Sequence, residues 1–166
     1  MNPLDVLVTP ITGGTLTVVA DGGVVVASGY DDGVVARIPA SLRSRGTRNV
    51  GRIEAVSEAI EAYEAGDVGA LDRVPVDQPG GEFYQAAWQA MRQIPPGQTW
   101  SYAELAAKVG KPTAVRAAGS ACARNNVAPF VPCHRVVRSD GSLGGYAYGL
   151  PVKRALLAHE RGTPAG

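Results

Sequence analysis

The stretch Asp-Gln-Pro-Gly-Gly at residues 77–81 constrains the fold most, because it separates two parts of different character. Before it, β-branched runs alternate with glycine turns, and after it apolar residues recur at helical spacing. A proline followed by two glycines is typical of a linker. We therefore predict an α/β (α+β) chain of two domains, a small sheet-plus-helix domain over residues 1–79 and a mainly helical domain over residues 80–166.

The first part predicts a sheet and one amphipathic helix. Ile53, Val56, Ile60 and Tyr63 follow one another at intervals of three and four, which predicts a helix over residues 52–65. Glycine pairs between β-branched runs predict hairpin turns. The predicted strands cover residues 6–8, 15–19, 24–27 and 34–38, with a last short strand at 74–76 and a loop or short helix at 39–49.

The second part predicts a helix-turn-helix. Ser101 and Glu104 have the spacing of a capping box, which opens a helix that ends near residue 109. After a short turn, Thr113 is predicted to cap a second helix, and two helices around a tight turn form the motif. Two further helices are predicted, over residues 82–94 and from Pro151 onward.

The distribution of charged residues also differs between the two parts of the chain. Residues 1–82 carry six basic and twelve acidic side chains, whereas residues 83–166 carry ten basic and three acidic ones. This division favours binding of a polyanion by the second half alone, with mutual attraction of the halves as the alternative. The sequence shows no apolar run of membrane-spanning length and no secretory signal pattern, so a cytoplasmic protein with free thiols at Cys122 and Cys133 is expected.

Residues 131–137, Val-Pro-Cys-His-Arg-Val-Val, place a thiol, an imidazole and a guanidinium inside an apolar run. A free cysteine is often only a small buried residue. Nearby cations, however, lower the pKa of a thiol and favour the thiolate, which is the nucleophile. Three polar groups are also costly to bury without a purpose. The spacing of Cys and His is not that of a zinc site, and no metal is expected.

This heptad resembles the active-site signature of the O6-alkylguanine-DNA alkyltransferases, and the resemblance extends over about residues 83–161. It implies a DNA repair protein that transfers the alkyl group of O6-alkylguanine, and of O4-alkylthymine, irreversibly to its own Cys133. It implies extrusion of the damaged base, with a helix-turn-helix in the minor groove. It also implies no cofactor, double-stranded DNA as the partner, and a monomer, with cooperative binding to DNA left open.

The resemblance assigns catalysis to four residues. Cys133 accepts the alkyl group, His134 acts as its base, Glu160 orients the imidazole and Asn125 supports the site. A water is expected between Cys133 and His134, because adjacent side chains in an extended segment point to opposite faces.

Further residues are assigned to DNA and to the substrate pocket. Tyr102 matches a tyrosine beside the phosphate of the flipped nucleotide, and Arg116 matches an arginine that replaces the extruded base in the stack. Tyr148 stands where several relatives have a smaller residue, which leaves the tolerated alkyl size open. The other expected contacts are Ala114 and Lys111 to DNA, and Tyr146 and Val136, with Tyr148, in the pocket.

Three other functions fit parts of the sequence. A non-catalytic lesion sensor of the same fold would bind damage without repair, although such relatives lack the cysteine that is present as Cys133. A DNA-binding regulator with a helix-turn-helix does not explain the heptad. A cysteine hydrolase needs turnover and an oxyanion hole, and a histidine adjacent to its cysteine is poorly placed as a direct base.

Overall fold

The computed structural model describes residues 2–162, which form two compact units. The first unit holds the described residues up to Pro79 together with Asn126–Phe130. The second holds Gly80–Asn125 and the described residues from Val131 onward. The predicted division into residues 1–79 and 80–166 places the segment Asn126–Phe130 in the second domain, whereas its contacts place it in the first unit.

The first unit is built on four strands, β1 (Leu4–Ile11), β2 (Gly14–Asp21), β3 (Val24–Gly29) and β4 (Thr47–Asn49). Their order in the sheet is β3-β2-β1-β4, antiparallel except for the parallel pair β1–β4. Gly22 and Gly23 both have positive φ, as the two-residue turn between β2 and β3 requires. The three strands predicted over residues 6–27 are therefore present, each longer than predicted.

The fourth predicted strand, over residues 34–38, is wrong. Val35–Arg37 form a 3₁₀ turn, and another such turn covers Ala40–Arg45 before β4 begins. Val34 and Ile38 are buried, whereas Val35 between them is 44% exposed. Ala36 would share the face of Val34 and Ile38 in a strand, but it is exposed, so the burial fits a helical turn and not the alternation of a strand. These two side chains complete the apolar cluster of the sheet, with Leu4, Val6, Val19, Val26 and Ala27.

A single α-helix, α1 (Glu54–Glu64), packs against a 3₁₀ turn at Ala70–Arg73. The predicted helical periodicity is confirmed, since Val56, Ile60 and Tyr63 are its buried residues. The strand predicted at residues 74–76 is reduced to one parallel bridge between Val76 and Val25.

The segment Asn126–Phe130 joins the first unit through a dense set of hydrogen bonds. The backbone N–H of Ser28 donates to Asn126 O at 2.9 Å, and its hydroxyl donates to Ala128 O at 2.7 Å. The side chain of Gln78 accepts the backbone N–H of Asn126 at 2.8 Å. The side-chain amide oxygen of Asn126 accepts Nε of Arg37 at 3.1 Å, and its amide nitrogen donates to Arg37 O at 2.9 Å. Every bond acts across at least 48 positions of sequence, which a local pattern does not reveal.

The second unit is mainly helical. Its short strands β5 (Trp100–Ser101) and β6 (Val136–Val137) pair in parallel. None of the described helices of either unit combines the length and apolar character needed to cross a bilayer. The helices of the second unit are α2 (Glu82–Met91), α3 (Tyr102–Lys108), α4 (Val115–Arg124) and α5 (Leu150–Arg161).

Helices α3 and α4 form the predicted helix-turn-helix, with one correction at the start of α4. The capping box of α3 is complete, since Ser101 and Glu104 each accept the other's backbone N–H at 3.0 Å. Thr113 does not cap α4. The N-cap is Ala114, whose backbone N–H is still bonded to Lys111 O in the turn and whose carbonyl accepts the first helical bond.

Candidate active site

Cys133 opens a single 3₁₀ turn, Cys133–Arg135, that leads directly into β6. Its backbone N–H donates to Val131 O at 2.9 Å, and Val131 O also accepts the side-chain amide of Asn125 at 2.8 Å. Asn125 is at the same time the C-cap of α4. One buried amide thus connects the end of α4 to Val131, two positions before Cys133.

A buried carboxylate holds both side chains that follow Cys133. Glu160 lies on α5, and its Oε2 is 2.7 Å from Nε2 of His134, while its Oε1 accepts Nε of Arg135 at 2.7 Å. Arg135 also donates from Nη1 to Ile94 O at 3.1 Å, just beyond the end of α2. His134 and Arg135 are each 1% exposed, so these bonds replace the water that the groups lose.

The same contacts determine the charge state of the carboxylate. Burial alone would raise the pKa of Glu160, but the charge and hydrogen bond of His134, with those of Arg135, outweigh burial and lower its pKa to about 2. An ionised carboxylate only accepts hydrogen bonds, so Nε2 of a neutral His134 must carry its proton. The lone pair of that imidazole then lies on Nδ1, a buried atom without a hydrogen-bond partner among the described residues. His134 is therefore prepared to receive a proton at Nδ1.

The electrostatics of Cys133 differ from the prediction. Burial raises the pKa of its thiol, and the partly compensating groups are a hydrogen bond from Asn125 and the charge of Lys153. His134 and Arg135, the neighbours expected to lower that pKa, are instead bound to Glu160. The resting sulfur is consequently a thiol, and its activation requires a base.

Cys133 opens onto a cavity of about 250 Å³ within the second unit. This is slightly below the roughly 300–1,000 Å³ of typical small-molecule sites. Two tyrosines, Tyr102 and Tyr146, face it, and burial together with the two thiols raises the pKa of Tyr102. The remaining lining residues are small, namely Gly119, Cys122 and Ala123 of α4 and Gly145 and Ala147 of the loop before α5.

Of the residues assigned to DNA, only Tyr102 lines the cavity. Lys111 lies in the turn between α3 and α4, Ala114 is the N-cap of α4, and Arg116 lies in its first turn. Arg116 and Lys111 are exposed, and Ala114 is half-buried. Arg116 and Gly119 stand three positions apart on α4 and so share a helix face. The arginine therefore projects from the same side of α4 that forms the cavity wall.

The three residues assigned to the pocket separate. Tyr146 lines the cavity, whereas Tyr148 packs its ring edge-on against Tyr146, with 5.7 Å between ring centroids. Val136 is fully buried on β6 and is not one of the residues that line the cavity. Its assignment to the substrate pocket stays a prediction.

Comparison with known proteins identifies the family. The sequence model of the 6-O-methylguanine DNA methyltransferase DNA-binding domain matches residues 82–162. The methylated-DNA–protein-cysteine methyltransferase of Mycolicibacterium paratuberculosis is 42% identical over 119 residues, which cover 72% of each chain. The chain belongs to the methylated-DNA–protein-cysteine methyltransferase family.

Similarity within this methyltransferase family extends through both units. The crystal structure of Mycobacterium tuberculosis OGT in complex with DNA superposes with a TM-score of 0.80 at 32% identity, covering 97% of this chain and 96% of that one. The regulatory protein ada of Salmonella typhimurium is 50% identical over 105 residues. Those residues span 63% of this chain but 29% of that protein, so the chain corresponds to a part of the longer relative.

Two residues at or near the cavity were not predicted to belong to the site. Cys122 was noted as a free thiol without a place, yet it lines the same cavity as Cys133. Lys153 was given no role, yet it is fully buried and its charge acts on Cys133. A signal was available for Lys153, because it stands three positions before Leu156 and four before Leu157, two apolar residues on the same helix face.

Proposed function

We propose that this chain repairs DNA by transferring the alkyl group of O6-alkylguanine to the sulfur of Cys133. The observation that carries the proposal is the position of Cys133 in the wall of a cavity, followed directly in the chain by His134, which is bound to Glu160. A nucleophile, a base and a group that orients the base are the parts that such a transfer needs. The membership of the family supports the same assignment.

The reaction follows from the protonation states of these groups. His134 takes the thiol proton at Nδ1 through a water, and the ionised Glu160 stabilises the imidazolium that forms. The sulfur attacks the alkyl carbon, and an S–C bond forms as the bond between that carbon and O6 breaks. The displaced guanine anion takes up one proton from the site, which balances the thiol proton that His134 received. The product is a thioether, which this site has no means to hydrolyse, so each chain acts once.

Access to the base requires its extrusion from the duplex. The alkylated edge lies inside the stack, and rotation of the nucleotide costs a few kcal/mol, less for a weakly paired lesion. We assign Arg116 to the space that the base leaves and Tyr102 to the neighbouring phosphate, with Ala114 and Lys111 close to the backbone. The excess of basic side chains in residues 83–166 supplies affinity that does not depend on sequence.

We further propose a second substrate, a cellular location and a monomeric state for this protein. O4-alkylthymine presents the same alkyl–oxygen bond and is included as a substrate. The reaction is placed in the cytoplasm, where reducing conditions keep both thiols free. The protein acts without a cofactor and as a monomer, since one chain carries the acceptor, the base and the helix-turn-helix.

The test is an intact-mass measurement after incubation with a duplex that contains one O6-methylguanine. We expect a gain of one CH₂ group, located on the peptide that contains Cys133. Cys133→Ser should gain nothing, whereas Cys122→Ser, which alters the other thiol of the same cavity, should still gain the methyl group. An unchanged mass for the natural chain would overturn the proposal. Tight binding to the lesion in that case would indicate a sensor, and repeated turnover of an ester or peptide would indicate a hydrolase.

A further inference from the structure

Lys153 is a charged side chain in a place where a charge is costly. It lies on α5 with 0% exposure. Its Nζ donates to three backbone carbonyls, Val136 O at 2.8 Å, Leu143 O at 2.5 Å and Gly145 O at 3.2 Å. Three acceptors around one nitrogen require three N–H donors, which only the protonated ammonium provides. A buried cation that binds carbonyls instead of a carboxylate calls for a role besides packing.

The three carbonyls connect the active-site strand to the cavity rim. Val136 O belongs to β6, which directly follows the turn that carries Cys133. Leu143 O and Gly145 O belong to the loop before α5, and the residues of this loop from Gly145 to Ala147 line the cavity. Residues 143–149 belong to no helix or strand, so no regular ladder of backbone hydrogen bonds holds them.

The loop also approaches Tyr102 closely. Gly144, between the two bonded carbonyls, has a φ of +71°, and a Cβ at this position would lie 2.9 Å from the Tyr102 hydroxyl oxygen. The ammonium binds the loop at the carbonyls on either side of Gly144. The position of the loop therefore affects Tyr102 and Tyr146, the two tyrosines of the cavity.

We propose that Lys153 is a positioning residue for alkyl transfer, which ties the loop of residues 143–147 to β6 and thereby keeps the rim of the base cavity in register with Cys133. This proposal rests on the proposed function and deepens it. Lys153 touches neither the reacting sulfur nor the alkyl group. Its charge contributes in the same direction, because it opposes the rise in the pKa of the Cys133 thiol that burial causes.

The test separates positioning from simple stability through single-turnover kinetics on the O6-methylguanine duplex. The amplitude reports the active fraction, the half-saturating DNA concentration reports phosphate contacts, and the limiting rate reports the placement of the base against sulfur. Lys153→Met replaces the lysine by an unbranched apolar side chain of similar length and removes the ammonium group. For this variant we expect an unchanged half-saturating DNA concentration. Its limiting rate should fall at least about tenfold, since a misplacement of about 1 Å can cost about a hundredfold.

Two further variants define the cause. Arg154→Met removes a charge from the exposed adjacent position of α5 and should keep the limiting rate of the natural chain. Lys153→Arg keeps the charge but presents a planar fork of donors, which does not match three carbonyls around one atom, so it should remain slow. Hydrogen exchange of the peptide containing residues 143–149 should be faster in both Lys153 variants than in Arg154→Met.

Several outcomes would overturn the proposal. It fails if folded Lys153→Met loses amplitude only, or if its limiting rate and loop exchange equal those of Arg154→Met. Full recovery in Lys153→Arg would show that charge alone matters. Should Lys153→Met not fold, Gly144→Ala displaces the same loop without altering the buried charge, and an unchanged limiting rate there would refute a role for the loop. Failure of the natural chain to gain a methyl group would overturn the proposed function itself, while loop exchange would still decide whether Lys153 holds the loop.

Discussion

The two units use the same pair of groups, carboxylate and guanidinium, in opposite surroundings. In the first unit Arg52 bonds Glu54 and Glu61 of α1, with all three side chains between 46 and 71% exposed. In the second unit Glu160 bonds Arg135 and His134 with both partners 1% exposed. Exposed pairs contribute little to stability, because water already solvates both charges. A buried pair instead costs desolvation and responds strongly to the loss of one partner.

The difference shows where the charges of this chain have chemical consequences. The acidic side chains of α1 keep a helix face in water, and Glu64 at its end accepts the backbone N–H of Thr12 at 2.6 Å and the Thr12 hydroxyl at 3.1 Å. The carboxylate of Glu160 fixes the tautomer of His134, which decides the atom that receives a proton. Four substitutions or conditions test this contrast, in order of decreasing expected effect.

Glu160→Gln should have the largest effect. An amide is neutral and its NH₂ group cannot accept, so one of the two buried donors loses its partner. We expect the rate of methyl transfer to fall about 10²–10⁴-fold, the usual contribution of general base catalysis. The free energy of unfolding should fall by about 3–5 kcal/mol, as when a buried pair loses one member. Glu61→Gln, at an exposed carboxylate with an arginine partner, is the matched control and should leave both quantities unchanged in single-turnover and urea measurements.

The pH dependence of stability should reveal the lowered pKa of Glu160. The pKa of Glu160 is about 2 in the folded chain against an ordinary 4.5, so its contribution is fully present above about pH 4.5 and is lost as pH falls toward 2. The difference corresponds to about 3 kcal/mol. Urea unfolding at a series of pH values should show this loss in the natural chain and a flatter acid limb in Glu160→Gln. Parallel acid limbs would contradict the assigned cause.

Arg116→Ala tests an exposed charge of the second unit. If the side chain fills the gap left by the extruded base, its loss should slow repair in duplex DNA on the order of tenfold, a modest part of the cost of unstacking. Reaction with free O6-benzylguanine, which needs no extrusion, should keep its rate. Equal losses on both substrates would remove Arg116 from the proposed role.

Arg52→Ala should have the smallest effect of the four. Its two partners are exposed, and the removal of an exposed pair leaves solvated charges behind. We expect no measurable change in the rate of methyl transfer and none in the midpoint of urea unfolding beyond experimental scatter. A clear loss of repair would show that the acidic face of α1 takes part in the function.

Local patterns predicted the elements well where one buried stripe or one cap decides them. The stripe Val56, Ile60 and Tyr63 and the capping box of Ser101 and Glu104 are both present as predicted. Residues 34–38 were misread as a strand because their β-branched side chains favour strands, whereas the exposure of Ala36 between the buried Val34 and Ile38 fits only a helical turn. The start of α4 was misplaced because a threonine that can cap is not forced to do so.

The reacting residues of the site were predicted from the sequence, whereas the buried lysine that holds the surrounding backbone was not. The heptad and Glu160 were identified through the family resemblance, and the structure brings His134 within 2.7 Å of Glu160. Lys153 was not identified, because a lysine on an amphipathic helix is ordinarily solvated, and only the three-dimensional position of Val136, Leu143 and Gly145 reveals its partners. The cation that opposes the effect of burial on Cys133 therefore comes from a distant helix and not from the adjacent residues.

The course of the chain around residues 126–130 affects how the protein can be dissected. Val127, Ala128 and Phe130 are at most 1% exposed within the first unit, yet they are encoded between Asn125 and Cys133. A recombinant fragment that starts at Gly80 would carry these apolar residues without Ser28, Arg37 and Gln78, whose hydrogen bonds hold the same segment at Asn126 and Ala128. Minimal versions for labelling or crystallisation should therefore keep both units in a single polypeptide.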